Sequence, residues 1–335
     1  MLVACALIAA MALFTLCSCA TTPEEQPQDK IVNNCINQSV AYWPYMEHYT
    51  FEEFLGIAAA RNIKSIELLG LFWQGEELRE KWDKLKEKGM VDACHYPYPF
   101  AEAFNTGLNE TRNRAKNLAA LREGIGLCNE YGFPNVIAFV GLRDNVSEEE
   151  GLKNCVDALT LKTVVIGPGG GKINIDPKGS GTMSISEYAE KKGVNIVIEL
   201  LNSKTSVEMK GHPRYQGDNL EFCKELIRRV DSPRVGLLMD FYHLQMMEGN
   251  LITNYRICSE YVFHCHTAGV PGRCEIDENQ EINYRPIVEE LARSGYMGYV
   301  GHEFIPQKHP PLDGLIDAIT RCDVPCEEAA VESLN

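Results

Sequence analysis

The chain has little positive charge for its length. Its 335 residues include 32 Lys and Arg against 47 Asp and Glu, which gives a formal net charge of −15 at pH 7. Binding to a phosphate backbone needs clustered basic side chains, so the composition argues against a nucleic-acid partner. A small anionic substrate is not excluded, because a bound divalent ion can reverse the sign of the local field.

The sequence also lacks two common motifs, a zinc-binding cysteine pattern and a phosphate-binding loop. Three of the 13 cysteines lie in the first 20 residues, and the others lack zinc-finger or zinc-ribbon spacing. We expect most of them to be buried thiols. Export would favour disulfides, with Cys322 and Cys326 as the expected local pair.

The glycine tract Gly167–Lys172 is one residue too short for a phosphate-binding loop, and Ile173 replaces the Ser or Thr that would hold magnesium.

A long apolar run stands at the N-terminus. Met1–Ala20 carries no charge and is followed abruptly by the polar segment Pro23–Lys30, which is typical of an export signal. The letters LCSC at 16–19 resemble a bacterial lipobox. We therefore expect residues 1–19 to be a lipoprotein-type signal, with a lipid at Cys19, a flexible tether over 20–30 and periplasmic or outer-membrane localisation. No Lys or Arg precedes the run, so an ordinary signal peptide or an uncleaved anchor stays open.

Between residues 31 and 322, strand-like and helix-like segments alternate. Alternation of this kind implies a parallel sheet, and eight such units match an α/β protein with a (β/α)8 TIM barrel. Residues 323–335 would be a C-terminal tail. The predicted strands are short apolar runs, at Val32–Ala41, Ile63–Leu69, Val91–His95, Asn135–Gly141, Val194–Asn202, Val235–His243, Val262–Gly269 and Tyr299–Pro306.

One segment does not fit the alternation. At about 160–186, two β-prone runs flank the glycine tract, which predicts a protruding hairpin inserted into the barrel. The letters EYAEKKG that follow read as a continuation of the helix before the insertion. An active-site cover and a contact between copies in a homo-oligomer are both open for this hairpin.

The last four strands each end in side chains that bind metal ions. A single buried glutamate is more often an ion-pair partner, but a buried charge is costly unless it is paired or binds metal. Active sites of (β/α)8 barrels lie at the C-terminal ends of the strands, so the coincidence favours one site. The predicted ligands are Glu199, Asp240, His266 and Glu303. His264 shares a strand face with His266 and is expected to lie deeper, whereas His302 points away.

This mixed oxygen and nitrogen set suits Mn²⁺, Mg²⁺, Co²⁺ or Zn²⁺. Such an ion would polarise a substrate carbonyl and stabilise an enediolate. Glu199 and Glu303 would approach the substrate from opposite sides, as proton removal at one carbon and return at its neighbour requires. Return to the other face of the same carbon would instead be an epimerisation.

Three further residues are candidates for substrate contacts. His243 stands three residues after Asp240 and should face the barrel mouth. Arg273 lies in the loop after the seventh strand, where it could pair with a substrate carboxylate or remain an exposed surface arginine. His95 ends the third strand, where a substrate contact and a packing role are equally open.

Several segments together resemble the hydroxypyruvate isomerase family, a branch of the xylose-isomerase-like sugar isomerases and epimerases. The resemblance implies that the four predicted ligands bind metal, that both glutamates transfer protons, and that His243 and Arg273 hold substrate. At position 266 that branch often has Gln, whereas the ketose 3-epimerases have His, as this chain does. At position 274 the branch often has His, where this chain has Cys274. The segments are IELLNSK at 198–204, MDFYHLQ at 239–245, HTAGVPGRCEID at 266–277, INYRPIVEELARSGYMGYVGHEF at 282–304 and NEYGFPNVIAFVG at 129–141.

The leading interpretation is therefore a metal-dependent isomerase of a small hydroxy-aldehyde, hydroxy-ketone or sugar, or of a hydroxy-keto acid. A ketose 3-epimerase and an inosose-type dehydratase are alternatives on the same site. A non-catalytic carbohydrate-binding lipoprotein is a further alternative, although all four ligand positions are filled.

Overall fold

The computed structural model describes residues 29–68, 73–97, 107–144, 146–162, 165–166, 172–173 and 183–326. The predicted signal peptide, the lipid attachment at Cys19, nearly all of the tether and most of the C-terminal tail lie outside these ranges. Among the helices that are described, none is both long enough and apolar enough to cross a membrane.

The core of the fold is a curled sheet of seven parallel strands. The strand runs are short and fully or nearly fully buried, as expected when helices cover one face of a barrel and side chains fill the other. The strands of this sheet are β1 (Asn37–Ala41), β2 (Ser65–Glu67), β3 (Asn135–Ala138), β6 (Asn195–Glu199), β7 (Val235–Asp240), β8 (Val262–Thr267) and β9 (Tyr299–His302). Their order across the sheet is β2-β1-β9-β8-β7-β6-β3.

Residues 91–95, predicted as the third strand, lie between the two edges of this sheet. Val91 forms a parallel bridge with Ser65 of β2, and His95 forms one with Val136 of β3. The backbone N–H of Ile137 donates to the carbonyl of His95 over 2.9 Å. The eight predicted strand positions therefore follow one another around a ring, and the predicted TIM barrel is confirmed.

The predicted hairpin insertion has its own two-stranded pairing. β4 (Val165–Ile166) runs antiparallel to β5 (Lys172–Ile173), with Val165 opposite Ile173. This pair forms a two-stranded sheet of its own. Most of the remaining insertion lies outside the described residues.

Ten α-helices are described, and eight of them coincide with segments that the sequence predicts to be helical. They are α1 (Phe51–Ala60), α2 (Gly75–Glu87), α3 (Arg114–Tyr131), α4 (Glu148–Thr160), α5 (Ile185–Lys192), α6 (Leu220–Val230), α7 (Phe241–Met247), α8 (Leu251–Cys258), α9 (Tyr284–Arg293) and α10 (Leu312–Arg321). Short 3₁₀ turns at Trp43–Tyr45 and Ser259–Tyr261 complete the set.

Two helices differ from the sequence prediction. The segment expected to continue α4 begins a separate helix, α5, because Ser184 and Glu187 form a capping box that satisfies its first N–H groups. The short helix α7 was not predicted. It begins directly after β7, where the carboxylate of Asp240 accepts the backbone N–H of His243 over 2.9 Å and acts as its N-cap.

The two ends of the barrel domain meet near the C-terminus of α10. The Asp323 carboxylate accepts the backbone N–H groups of Val32 over 2.8 Å and of Asn33 over 3.0 Å. The expected Cys322–Cys326 pair is wrong, because the Cys322 side chain is buried in the core and Cys326 is exposed. Cys326 instead lies beside Cys35, and burial together with this neighbour raises the pKa of the Cys35 thiol.

Candidate metal centre at the strand ends

The four predicted ligands meet at the C-terminal ends of adjacent strands. Parallel register places Asp240 of β7 beside His266 of β8, and β6 and β9 flank this pair. Each residue offers one ligand atom, and these atoms all lie within 4.8 Å of one another. All four side chains are buried, with at most 5% of each residue exposed. The members of the cluster are Glu199, Asp240, His266 and Glu303.

Several polar atoms of this cluster have no hydrogen-bond partner among the described residues. They are Asp240 Oδ2, His266 Nδ1 and, beside them, His243 Nε2. His266 Nδ1 lies 3.1 Å from Glu303 Oε2 and 3.5 Å from Glu199 Oε1. Buried polar atoms are normally satisfied, and three carboxylates with one imidazole form a donor set that suits a divalent cation. The residues present therefore fit a metal ion.

The two glutamates differ in their charge environment. Burial raises the pKa of Glu199 to about 7, and the neighbouring Glu303 and Asp240 carboxylates add to this against the opposing His266. Burial also acts to raise the pKa of Glu303, but the positive charges of Arg273 and His266 outweigh it and hold the pKa at about 2. Before a cation binds, one glutamate is thus easily protonated near neutrality and the other stays ionised.

His266 lies between these carboxylates and carries charge itself. Burial acts to lower its pKa, but the carboxylates of Glu67 and Glu303 outweigh burial and raise the pKa well above its usual range. In the absence of a metal, a protonated His266 compensates part of the negative charge of the cluster. A divalent cation would take over that role as the proton leaves.

Arg273 is buried and is not the exposed surface arginine that the sequence left open. Its guanidinium donates to Glu303 Oε2, and a second N–H donates to the carbonyl of Met209 over 2.5 Å. The guanidinium carbon lies 5.7 Å from the Trp43 ring centroid and 5.9 Å from that of Tyr242. The Arg273 cation therefore contacts two aromatic rings beside the candidate ligands.

His243 also lies at the cluster, as the sequence predicted. The backbone N–H of Asn202 donates to its Nδ1 over 3.0 Å, and its Nε2 lies 3.7 Å from Asp240 Oδ2. Burial lowers the pKa of His243 well below its usual range, so the ring is neutral. Because Nδ1 accepts a backbone N–H, the proton resides on Nε2, which faces the cluster as a donor.

His95 does not join the cluster, so its predicted substrate contact is corrected. Its ring packs edge-on against Trp82 of α2, with centroids 4.8 Å apart. Its Cδ2 atom also lies against α3, beside Gly124. The adjacent Cys94 lies near Glu67 inside the barrel, and because side chains alternate along a strand, His95 faces the helices.

The structure also adds residues that sequence reasoning missed. The indole N–H of Trp43, which follows β1, donates to Glu303 Oε1 over 2.9 Å. Glu67, at the end of β2, contacts His266 from below with Oε2 2.9 Å from Nε2. A signal existed for both, since each stands at or just after the C-terminal end of a predicted strand. His264 lies deeper and His302 bonds Gln38 and Thr267 instead.

Comparison with known proteins supports the fold and the resemblance. Residues 180–322 match the family described as xylose isomerase-like TIM barrel. A Danio rerio protein named "Putative hydroxypyruvate isomerase" is 26% identical over 274 residues, which cover 82% of this chain and 90% of that protein. A 2-oxo-tetronate isomerase of Pectobacterium atrosepticum is 36% identical over 115 residues, or 34% of this chain and 41% of that protein.

Solved structures share the barrel at lower identity. An AP endonuclease of family 2 from Brucella melitensis has a TM-score of 0.67 at 18% identity, covering 84% of this chain and 97% of that one. A 3-keto-D-glucoside 4-epimerase from E. coli has a TM-score of 0.63 at 17% identity, covering 85% and 98%. These similarities establish the fold. The resemblance predicted from the sequence is confirmed.

Proposed function

We propose that this xylose isomerase-like barrel is a metal-dependent isomerase that interconverts a small hydroxy-aldehyde and hydroxy-ketone, a hydroxy-keto acid or a sugar through an enediolate. The observation that carries the proposal is the pair of buried glutamates, Glu199 and Glu303, on either side of His266 within one four-ligand cluster. Relatives named isomerases are consistent with this class of reaction.

The ligand set would hold Mn²⁺, Mg²⁺, Co²⁺ or Zn²⁺ through Glu199, Asp240, His266 and Glu303. When bound, such an ion polarises a substrate carbonyl and the adjacent hydroxyl. The protein supplies the proton transfers. Arg273 favours the ionised form of Glu303, so Glu303 is suited to accept the proton from the carbon next to the carbonyl, and Glu199 in the same cluster is placed to return a proton.

The side chains beside the cluster would orient the substrate. Arg273 offers guanidinium N–H groups, and the neutral His243 offers its Nε2 proton. Both can hold oxygen atoms of the substrate. Return of the proton to the neighbouring carbon gives isomerisation, whereas return to the opposite face of the same carbon gives the epimerase alternative.

Deuterium exchange tests this proposal directly. The protein is stripped with a chelator, reloaded with Mn²⁺, Mg²⁺, Co²⁺ or Zn²⁺, and incubated in D₂O with hydroxypyruvate and a panel of ketoses. NMR readout of exchange that depends on metal and disappears in Glu303→Gln would support enediolate chemistry. Tight metal binding without exchange of any compound would favour the dehydratase, to be tested by product analysis. Absence of metal binding would sink the proposal and favour a carbohydrate-binding protein.

We also propose, from the sequence pattern of residues 1–30, that the protein is exported and anchored through a lipid on Cys19. The experiment is expression of the full chain with Cys19→Ala beside the wild type. Detergent-extractable membrane association and a lipid mass on the mature protein should be lost in the variant. Equal recovery of both in the soluble fraction would contradict the anchor.

A further inference from the structure

A second buried group of polar side chains lies directly beneath the candidate metal centre. Glu67, Cys94 and His264 each place one polar atom within 4.8 Å of the others. Glu67 is 1% exposed and comes from β2, three strands away from the β8 strand that carries His264 and His266. Its carboxylate therefore reaches across the barrel interior, which is an expensive place for a charge without a role.

The Glu67 carboxylate meets the far side of the His266 ring. Its Oε2 lies 2.9 Å from His266 Nε2, while His266 Nδ1 faces Glu199 and Glu303. A histidine that binds a cation through Nδ1 must carry its remaining proton on Nε2, and that proton needs an acceptor in a buried site. Glu67 is this acceptor.

The other carboxylate oxygen of Glu67 also contacts a histidine of β8. His264 Nε2 lies 3.2 Å from Glu67 Oε1, and the rings of His264 and His266 pack edge-to-face with centroids 4.9 Å apart. Because the two histidines stand on the same face of one strand, the carboxylate is confined between them. Its position then determines the angle of the His266 ring.

Gly301 on β9 leaves the space that this arrangement needs. It pairs with His266 in the β8–β9 register. A Cβ atom at this position would clash with Glu67 Oε1 and would lie 2.9 Å from His266 Cδ2. A larger residue there would have to displace the carboxylate or tilt the ring. Gly301 is therefore a second, independent sign that the Glu67–His266 contact is built into the barrel.

We propose that Glu67 is a positioning residue for the metal centre, which fixes the Nε2–H tautomer and the ring angle of His266 so that Nδ1 points at the cation. This inference rests on the proposed function, since it assumes that His266 is a ligand. It assigns Glu67 no contact with substrate.

The test is the affinity of the full chain for Mn²⁺, and calorimetry measures it as a dissociation constant. Glu67→Leu removes the acceptor and should weaken Mn²⁺ binding by about 10- to 100-fold, the usual effect of losing such a partner. Glu67→Gln should recover part of this loss, because the amide oxygen can still accept from His266 Nε2. Gly301→Ala should weaken binding in the same direction without changing any polar group.

A matched control separates this role from general packing. Gln38 is also buried in the barrel and accepts or donates at His302 Nε2 over 2.8 Å, but His302 is not a predicted ligand. Gln38→Leu should leave the Mn²⁺ affinity within about threefold of wild type, well below the loss expected for Glu67→Leu. An equal loss in both variants would overturn the proposal.

The remaining outcomes distinguish this inference from the proposed function. Wild-type affinity in Glu67→Leu, together with strongly weakened binding in Glu199→Gln, would overturn the role of Glu67 and leave the metal centre intact. Wild-type affinity in Glu199→Gln would remove the metal centre and this inference with it. Two bound ions in the wild type and one in Glu67→Leu would make Glu67 a ligand in its own right and overturn the positioning role.

Discussion

The Arg273 guanidinium donates to the Glu303 carboxylate, and both groups are buried at the mouth of the barrel. This contact separates the two glutamates of the site, because Arg273 lowers the pKa of Glu303 while burial keeps that of Glu199 near 7. One arginine thereby makes two otherwise similar carboxylates chemically different. Without a metal ion, the two carboxylates therefore bind protons with different affinities.

Replacement of Arg273 tests this asymmetry. In Arg273→Met the Glu303 carboxylate loses an opposite charge, so its pKa should rise and the acid limb of the kcat/KM profile should move to higher pH. KM should increase by about tenfold or more, because the substrate loses a charged donor. Mn²⁺ affinity should not fall, since a positive charge beside the ligands is removed.

The matched control for this prediction is Arg143→Met, which breaks another arginine–carboxylate pair, with Asp218, outside the cluster. It should change neither KM nor the pH profile. Weakened Mn²⁺ binding with an unchanged KM in Arg273→Met would contradict a role in substrate binding and would make Arg273 a support of the ligands.

Trp43 should report on metal binding and hold Glu303 in place. Its indole N–H donates to Glu303 Oε1 over 2.9 Å. Trp43→Phe removes a hydrogen bond to a charged group, so kcat should fall by about 10-fold or more. The chain has three tryptophans, and the change in emission on metal titration should disappear in Trp43→Phe but persist in Trp73→Phe. Retention of the full signal in Trp43→Phe would show that another tryptophan reports metal binding and would contradict the role given to Trp43.

His95 should make the fold sensitive to mild acid. Burial lowers its pKa to about 3, so the folded state keeps the ring neutral while the unfolded chain binds a proton below about pH 6.5. The unfolded state then holds more protons, and stability falls with decreasing pH between 6.5 and 3, by up to about 1.4 kcal/mol per pH unit for this residue.

Urea unfolding at pH 7 and pH 5 measures the effect. His95→Phe keeps an aromatic ring against Trp82, whose present contact is edge-on at 4.8 Å, and should flatten the pH dependence of the unfolding free energy. His48→Phe, at an exposed position, serves as the control for loss of an imidazole. Identical pH slopes for wild type and His95→Phe would rule out this source of acid sensitivity.

Cys35 and Cys326 should form a disulfide under oxidising conditions. Their side chains are neighbours, and both have some solvent exposure. Thiol–disulfide exchange with glutathione disulfide would join the two sulfurs, break the glutathione S–S bond and transfer the two thiol protons to the two molecules of reduced glutathione. The bond would close almost the whole barrel chain into one loop, so it should stabilise the protein by up to about 5 kcal/mol by restricting the unfolded state.

Thiol titration and mass spectrometry check this prediction. Oxidation should remove two titratable thiols from the wild type and raise its melting temperature. Cys326→Ser should abolish both effects, whereas Cys322→Ser should not, since Cys322 is buried in the core. Formation of a disulfide that depends on Cys322 would mean that the C-terminal segment rearranges.

The sequence alone predicted the barrel and the meeting of the four candidate ligands. Short apolar runs ending in Glu199, Asp240, His266 and Glu303 are sufficient, because the C-terminal ends of parallel strands must meet at one face. The same reasoning predicted that His243 faces this cluster, whereas it left open whether Arg273 is buried there, as the structure shows. These inferences need only the local pattern and the rule that consecutive strands are neighbours.

The tertiary structure decided the side-chain contacts that depend on closure of the whole barrel. His95 faces the helices because its bridge to Val136 sets which side of the strand looks inward. Glu67 meets His266 from three strands away, and Cys326 meets Cys35 where the chain ends come together. Such contacts follow from the closure and register of the barrel, and no local sequence pattern encodes them, because register sets which side chains far apart in the chain face each other.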